Sequence, residues 1–305
     1  MKVILEYISL FLLAIYSYIE ELIKLCMPVK RKSVSGDIVL ITGSGHGIGR
    51  LTALEFAKLQ SILILWDINK VHIFLDGIEE TAEECRKLGA KTFTFVVDCS
   101  KRNEIYAAAE EVKTTIGDVD ILINNAGVVF GVEFLELQDH QIEKTFDVNI
   151  LAHFWITKSF LPAMMKKNYG HIATVASVCG HVGLTYLVDY CASKFGAVGF
   201  HECLTVELAS LGKDGIKTSC LCPVFVNTGF VQNPSTRIWP VLKPEYVAKT
   251  FVDGILTNKK MILVPSSVKT YLILSKFLPQ RVISKINKMQ DVQFYTKFRS
   301  GTKMD

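Results

Sequence analysis

The sequence predicts a doubly wound α/β fold built on a parallel seven-stranded sheet, and three observations support this prediction. Short apolar runs alternate with longer helical stretches along the chain, which is typical of repeated β-α units. A glycine-rich loop follows the first of these runs, where such folds bind phosphate groups. The chain has 305 residues, of which 50% are hydrophobic, so it can form one large domain with appendages.

The predicted strands are the apolar runs that lie between helical stretches. Parallel neighbours need long crossover connections, which place helices on both faces of the sheet. The main domain is therefore predicted over residues 37–265, after a hydrophobic segment at 1–28 and a basic linker at 29–36, and before a basic extension at 266–305. The seven predicted strands are Ile38–Ile41, Ile62–Trp66, Thr92–Val97, Ile121–Asn124, His171–Val175, Lys217–Cys222 and Met261–Val264.

The N-terminal segment is predicted to be a membrane-associated amphipathic helix. The uncharged run Tyr7–Ile19 is shorter than the ~20 residues that span a bilayer. Pro28 would end the helix, and the basic Lys30–Lys32 would contact anionic head groups. A helix lying in the membrane interface is favoured, while a secretory signal or a single membrane-crossing anchor remains an alternative. The polar residues that fall in one stripe are Glu6, Ser9, Ser17, Glu20 and Lys24.

The glycine-rich loop predicts a dinucleotide site. It follows the strand at Ile38–Ile41 and precedes a helical stretch, so backbone N–H groups and a helix N-terminus would face a pyrophosphate. Asp67 ends the second strand, where a carboxylate can accept hydrogen bonds from the ribose hydroxyls of NAD and would repel the 2′-phosphate of NADP. NAD is therefore predicted over NADP, although an ordinary glycine turn and a turn-capping aspartate are alternatives. The predicted loop contacts are Gly43, Ser44, Gly45, His46, Gly47, Ile48 and Gly49.

Tyr190 and Lys194 are four residues apart on a predicted helix, so their side chains share one face. A nearby ammonium group stabilises a phenolate. We therefore expect Lys194 to lower the pKa of Tyr190 toward neutrality, which would make the phenol a general acid or base.

These motifs together resemble the short-chain dehydrogenase/reductase family, whose members have a Rossmann-like fold. The resemblance is carried by Thr42-Gly43 with Gly47 and Gly49, by Asn124–Gly127, and by Ser177 thirteen residues before Tyr190. It implies that Ser177 binds the substrate oxygen, that Lys194 also binds the nicotinamide ribose, and that Asn149 completes the catalytic set. It also implies cofactor contacts at Asp98, Asn125, Ala126, Gly127, Pro223, Val226 and Thr228.

Further motifs are similar to the 17β-hydroxysteroid dehydrogenase branch of that family, whose members associate with membranes and lipid droplets. Lys32–Val34, Trp66–Lys70, His153–Trp155 and Cys220–Pro223 carry this similarity. It implies a homodimer located on lipid droplets and on the cytoplasmic face of the endoplasmic reticulum. Relative to that branch, Val71–Asp76 is interpreted as an insertion.

The substrate is predicted to be a lipophilic alcohol or ketone, such as a steroid, a retinoid or a lipid mediator. Apolar and aromatic residues follow the sixth predicted strand, where they would overhang the nicotinamide. Val224 replaces the glycine that usually follows proline in the family, and this would narrow the site. The pocket candidates besides Ser177 are Cys179, Tyr186, Val224, Phe225, Phe230 and Trp239.

Composition limits other classes of function. The net charge is only +4, so no nucleic-acid partner is predicted. Cys220 and Cys222 share a strand face, but two thiols are too few for a metal site, and none is predicted. The cysteine spacing suggests no disulfide framework, which fits a cytosol-facing domain with buried, reduced thiols. The cysteines are Cys26, Cys85, Cys99, Cys179, Cys191, Cys203, Cys220 and Cys222.

The C-terminal stretch Val268–Met289 mixes apolar and basic residues, which is typical of a membrane-surface element. A helix packed on the main domain or on a partner subunit is the alternative.

The predicted function is NAD-dependent oxidation or reduction of a lipid alcohol or ketone at a lipid surface. One alternative is a lipid-droplet binding or scaffold protein with a vestigial dehydrogenase site. The other is NAD-dependent epimerisation or dehydration of a nucleotide sugar, which would need a larger substrate domain.

Overall fold

The computed structural model describes residues 2–26, 29–70, 77–290 and 293–295. The predicted insertion at Val71–Asp76 lies outside the described residues. The chain divides into two compact units, Met1–Lys32 and Ser33–Asp305.

The first unit contains one long helix, α1, at Lys2–Cys26. Its large apolar side chains from Val3 to Ile19, and that of Ile23, are exposed. The stretch Val3–Glu20 has a mean hydropathy of 1.6, so by length and composition alone it could cross a membrane. The predicted helix is therefore present, and its composition suits both a membrane-crossing and an interfacial position.

The second unit is organised around the predicted parallel sheet of seven strands, in the order β3-β2-β1-β4-β5-β6-β8. All six pairs of neighbours are parallel. The predicted strands are confirmed with small shifts at their ends; for example, β6 starts one residue earlier and ends one residue later. The strands are β1 Ile38–Thr42, β2 Ile62–Asp67, β3 Thr92–Val96, β4 Ile121–Asn124, β5 Gly170–Val175, β6 Ile216–Pro223, β7 Gln232–Ser235, β8 Met261–Val264 and β9 Gln293–Tyr295.

Helices pack on both faces of this sheet. The helices of the second unit are α2 Gly47–Lys58, α3 Ile78–Lys87, α4 Arg102–Thr115, α5 Asp139–Phe146, α6 Ala152–Lys167, α7 Val188–Ser210, α8 Pro244–Leu256, α9 Val268–Ser275 and α10 Gln280–Gln290. A π-helical turn at Asp147–Leu151 joins α5 to α6, and a 3₁₀ turn at Val178–Gly180 follows β5.

Alternate residues of the central strands fill hydrophobic cores on the two faces of the sheet. Val39 and Ile41 pack with Phe56 of α2 and Phe251 of α8 on one face. Leu40, on the other face, packs in the core that includes Trp66 and Phe160. Because both faces are buried, the strands read as continuous apolar runs, which is why they could be recognised in the sequence.

The C-terminal stretch differs from the prediction of one amphipathic segment. It forms two helices, α9 and α10, and Pro279 lies between them, where proline cannot continue a helix. Val268 is buried against the domain, while Leu274 and Phe277 are exposed. The strand β9 that follows pairs with β7 in an antiparallel ribbon, which the sequence did not predict.

The carboxyl end of β1 is the point where its two neighbours, β2 and β4, diverge, and such a switch point forms the ligand crevice of α/β sheets. Gly49, in the first turn of α2, packs there against the glycine loop. A Cβ atom at Gly49 would overlap the carbonyl oxygen of Gly43 and the side-chain amide of Asn125. The close approach of α2 to this crevice therefore depends on glycine.

Replacing Gly49 with alanine is expected to lower the free energy of unfolding by about 3 kcal/mol, because the added methyl group overpacks a site with rigid backbone neighbours. Urea denaturation measures this change. Gly199→Ala is the matched helical control: a Cβ there meets nothing within 4 Å, so stability should stay the same or rise by about 0.5–1 kcal/mol. Equal stability of the two variants would contradict the packing described here.

Candidate active site

One continuous cavity of about 590 Å³ opens at the carboxyl ends of the sheet strands. It brings together most of the predicted residues, although they come from segments far apart in the chain. The predicted residues that line it are Gly43, His46, Gly47, Ile48, Asp67, Asp98, Asn125, Ala126, Gly127, Ser177, Cys179, Tyr190, Lys194, Pro223, Val224, Phe225, Val226, Thr228, Phe230 and Trp239. Ser44, Gly45, Gly49, Asn149 and Tyr186 do not line it, and the first four of these support residues that do.

The glycine loop is held to β4 by hydrogen bonds that centre on Thr42. The Thr42 hydroxyl accepts from the backbone N–H groups of Asn125 and Ala126, both at 3.0 Å. The Asn125 amide donates to the carbonyl oxygens of Thr42 at 2.8 Å and Gly43 at 3.0 Å. Thr42 was not predicted as a site residue, although the threonine before the first glycine was a visible signal.

Asp67 is fixed at the rim of this loop. Its carboxylate accepts from the backbone N–H of Gly45 at 2.9 Å and of Asn69 at 3.0 Å. The side chain still borders the cavity, so it can also accept hydrogen bonds from a ligand hydroxyl. Gly43 and Gly47 have positive φ angles of 64° and 57°, which other residues adopt only with strain. A backbone cradle beside a carboxylate fits a dinucleotide cofactor.

Asp98 occupies the far end of the same cavity. Lys144 of α5 donates to both of its carboxylate oxygens at 3.1 Å, and Ser100 donates to it through its backbone and its hydroxyl. Burial opposes ionisation, but these hydrogen bonds outweigh it and hold the pKa of Asp98 below its ordinary value. Lys144 also lines the cavity and was missed from the sequence, because it lies 46 residues from its partner.

Ser177 and Tyr190 meet at the other end. Ser177 lies between β5 and the 3₁₀ turn at Val178–Gly180. Its hydroxyl accepts from the backbone N–H of Cys179 at 3.1 Å and donates to the carbonyl oxygen of Pro223 at 3.4 Å. Tyr190, in the first turn of α7, lines the cavity with Ser177 and is near enough for the Ser177 hydroxyl to lower the pKa of its phenol. A hydroxyl and a phenol are thus placed together, as a reacting substrate oxygen requires.

Lys194 lies one helical turn from Tyr190, as predicted. Its ammonium nitrogen is 5.6 Å from the centre of the Tyr190 ring and donates to the carbonyl oxygen of Val175 at 2.9 Å. It is also close to Gly127, where a Cβ atom would lie 3.8 Å from it. Only 3% of Lys194 is exposed, so its charge is removed from water.

The prediction that Lys194 lowers the pKa of Tyr190 is wrong for this structure. Burial raises the pKa of the Tyr190 phenol above its ordinary value, although the nearby Ser177 hydroxyl opposes this effect. Burial also lowers the pKa of Lys194, from 10.5 to about 8. Helical spacing predicted that the two groups are near each other, but not that both are desolvated, and desolvation disfavours the charged form of each.

Asn149 lies in the π-helical turn and is fully buried. Its side-chain oxygen accepts from the N–H of Val128 at 2.8 Å, and its amide donates to the Val128 carbonyl at 3.0 Å and to the Ser193 hydroxyl at 3.0 Å. Asn149 therefore ties the loop after β4 to α7, behind the cavity wall.

The space beside Ser177 and Tyr190 is mainly apolar. Phe230 lies 6.3 Å from the Tyr190 ring, measured between ring centres, and Trp239 packs edge-on against Tyr271 at 5.7 Å. Tyr271 belongs to α9, so the C-terminal extension supplies part of the wall, which the sequence did not predict. Tyr186, a pocket candidate, instead packs against the small core around Leu187 and Cys191.

The cysteine pair on β6 shares a face as predicted, with 3.8 Å between the Cys220 and Cys222 sulfurs. Within the ranges that the structure describes, no group of three or more His, Cys, Asp or Glu side chains could hold a metal ion.

Comparison with known proteins gives consistent results. A family model described as short chain dehydrogenase matches residues 37–238. Human 17-beta-hydroxysteroid dehydrogenase 13 is 61% identical over 96% of each chain. Mouse estradiol 17-beta-dehydrogenase 11 is 58% identical over 96% of this chain and 97% of its own.

Solved structures share the fold. A short chain dehydrogenase/reductase from Burkholderia phymatum in complex with NAD has a TM-score of 0.71 and 26% identity, covering 80% of this chain and 94% of its own. A metagenomic short-chain oxidoreductase in complex with NADP has a TM-score of 0.64 and 23% identity, covering 76% and 97%, and it supports the fold alone.

Lys194→Met is expected to show that the buried ammonium destabilises the fold. Between about pH 8 and 10.5 the unfolded wild type binds more protons at Lys194 than the folded protein, so its stability rises with pH across this window. The stability of the variant relative to wild type should therefore fall by about 2 kcal/mol between pH 7 and pH 9.5.

Urea denaturation at the two pH values measures this difference. Lys113→Met is the control, because Lys113 is a surface residue paired with Glu110, and its relative stability should not change with pH. The same relative stability of Lys194→Met at both pH values would rule out a lowered pKa for Lys194.

Proposed function

The chain belongs to the short chain dehydrogenase family, and on this premise we propose that it transfers a hydride between a lipophilic alcohol or ketone and NAD at a lipid surface. The observation that carries the proposal is the pairing of Ser177 with Tyr190 beside an apolar wall, in the same cavity as the Asp67 cradle. The names of the relatives, which include 17-beta-hydroxysteroid and estradiol dehydrogenases, support a steroid among the candidate substrates. Retinoid and lipid-mediator alcohols fit the same apolar wall.

In the proposed reaction, a few side chains have separate roles. A bound nicotinamide supplies the hydride acceptor or donor. Tyr190 exchanges a proton with the substrate oxygen, and Ser177 hydrogen-bonds that oxygen as its charge changes. Because burial keeps the phenol protonated, Tyr190 is suited to donate a proton to a ketone oxygen, and in the oxidative direction it must first lose that proton.

Lys194 and Asn149 support this step. The Lys194 ammonium points to the same region as Gly127 and Val175, where it can donate to the hydroxyls of a nicotinamide ribose. Its pKa of about 8 lets it change protonation state near neutral pH, so it can relay a proton. Asn149 holds α7 and the loop after β4 in register.

NAD is proposed over NADP because of Asp67. The carboxylate is held at the end of β2 by two backbone N–H groups, so it cannot turn away from an additional phosphate without losing both hydrogen bonds. Repulsion between the Asp67 carboxylate and the 2′-phosphate of NADP therefore disfavours NADP.

The protein is proposed to act at the surface of lipid droplets and on the cytoplasmic face of the endoplasmic reticulum. Exposed apolar side chains cover α1. Leu274 is exposed on α9, which also carries Lys269, and Phe277 is exposed just beyond that helix, next to Lys276. Such surfaces bind phospholipid layers through apolar burial and charge. We also propose a homodimer through α6 and α7, where Phe154 and Phe195 are exposed.

Tyr190→Phe is expected to lower kcat roughly 100-fold or more, because the proton donor is lost while the ring is kept. The measurement is the NADH formed with a panel of steroid, retinoid and other lipid alcohols, using full-length protein on droplets, with NAD compared with NADP. Tyr106→Phe is the control, because Tyr106 is partly exposed on α4, and it should behave as the wild type. Equal turnover by Tyr190→Phe and wild type would leave a scaffold with a vestigial site as the better account.

Deleting residues 1–27 is expected to move the protein into the soluble fraction, because the exposed apolar surface of α1 is removed. The catalytic unit begins at Ser33, so the shortened protein should remain folded with wild-type thermal stability. Light scattering should give the mass of a dimer. Persistent droplet association would assign the lipid contact to α9 and α10, and a monomeric mass would overturn the dimer.

A further inference from the structure

Two neighbouring residues of α5 are connected to different parts of the active site, Lys144 directly and Thr145 through Asp189, and the proposed chemistry uses neither. Lys144 binds both carboxylate oxygens of Asp98 at 3.1 Å, and the family resemblance implies that Asp98 contacts the adenine of the cofactor. The Thr145 hydroxyl donates to a carboxylate oxygen of Asp189 at 2.7 Å. Asp189 directly precedes Tyr190 in the first turn of α7.

The Thr145–Asp189 contact is well placed to fix the start of α7. Thr145 is fully buried and Asp189 is 4% exposed. A buried carboxylate that loses a hydrogen-bond donor is strongly destabilised, so it holds its donor tightly. The carboxylate also lies in the first turn of a helix, where negative charge is favoured. Thr145 therefore constrains where the first turn of α7, and with it Tyr190, can lie.

A second contact from the same segment acts on the other side of Tyr190. Asn149, in the π-helical turn that continues α5, donates to the Ser193 hydroxyl at 3.0 Å. Ser193 in turn donates to the carbonyl oxygen of Tyr190 at 2.7 Å. The segment 139–151 thus contacts the region around Tyr190 at two points. Lys144 connects the same segment to Asp98.

We propose that Thr145 is a positioning residue for Tyr190, and that α5 couples Tyr190 to the adenine end of the cofactor site through Lys144. This inference rests on the proposed function of that site. Thr145 does not line the cavity, so it acts only through Asp189. Because coupling between two sites is reciprocal, a nucleotide that binds at Asp98 should order the first turn of α7.

The first test is Thr145→Val, which removes the hydroxyl and keeps the branched shape. We expect kcat to fall about tenfold while KM for NAD stays within about twofold, because a small displacement of Tyr190 impairs proton transfer and not binding. The pH dependence of kcat should also shift, since it reports the surroundings of the phenol. Thr145→Ser should restore both properties.

The control is Thr250→Val, a helical threonine whose hydroxyl bonds only the carbonyl of Tyr246 in its own helix. It should leave kcat and the pH profile as in the wild type. Wild-type kcat in Thr145→Val would overturn the positioning role. So would a loss of thermal stability and activity that Thr145→Ser does not reverse.

The second test needs no turnover. Amide hydrogen exchange of residues 188–194 is measured in the full-length protein with and without ADP, which carries the adenine but no nicotinamide. ADP should slow exchange there about fivefold in the wild type. Lys144→Met should lose this effect at an ADP concentration that protects residues 43–49 as in the wild type, whereas Lys113→Met should keep it.

The outcomes separate the coupling from the proposed function. Unchanged exchange at 188–194 in the wild type with bound ADP, or the same protection in Lys144→Met, overturns the coupling whatever the activity. Equal turnover by wild type and Tyr190→Phe instead overturns the proposed function. The hydrogen-exchange result then decides by itself whether α5 couples Asp98 to the first turn of α7.

Discussion

The arrangement of the rest of the site depends on the burial of one charged side chain, that of Lys194. Its ammonium donates to the Val175 carbonyl at the end of β5, so α7 must pack closely over that strand. The same burial brings its pKa down to about 8. It also affects His153, which burial and the nearby Lys194 charge keep neutral by lowering its pKa to about 3. A fold optimised for stability alone would not place an ammonium there.

The sheet explains why this charge can be tolerated. Parallel strands end at one edge, and the loops after β1, β4 and β5 meet there because β1 is the point where the connections change direction. Thr42 and Asn125 hold the first two loops together. The crevice that results presents the Val175 carbonyl to Lys194 and can present backbone N–H groups to an anionic cofactor, so these polar groups of the site are supplied by the fold itself.

Much of the fold could be predicted from the sequence because of how these strands are buried. Both faces of the sheet are covered, so β1 and β2 appear as uninterrupted apolar runs, and the loop between β1 and α2 is marked by glycines. The helical spacing of Tyr190 and Lys194 correctly predicted their proximity. The pKa of Tyr190 was predicted wrongly because sequence spacing says nothing about solvent, and desolvation is the largest influence on that phenol.

Contacts between segments that are distant in the chain could not be predicted from the sequence, for a different reason. Lys144 and Thr145 look like ordinary residues of a short amphipathic helix, and only the folded chain brings them to Asp98 and Asp189. Likewise, Val268–Met289 has the composition of a surface element, and nothing in it indicates that Tyr271 reaches the cavity. Side chains that act through tertiary neighbours leave no local pattern in the sequence.

The position of Tyr271 bears on how a lipid substrate would arrive. It packs edge-on against Trp239 in the cavity wall, while Leu274, one turn further along α9, is 57% exposed, and Phe277 beyond the helix is 81% exposed. Ile273, two residues after Tyr271 and so on the opposite side of α9, is 50% exposed, and the helix thus borders the substrate space while it also offers exposed apolar side chains. If those side chains enter a phospholipid layer, as proposed, then the wall of the substrate space is formed by the same element that touches the lipid. An apolar alcohol dissolved in that layer would need to pass only this helix, and not open water, to reach Ser177 and Tyr190.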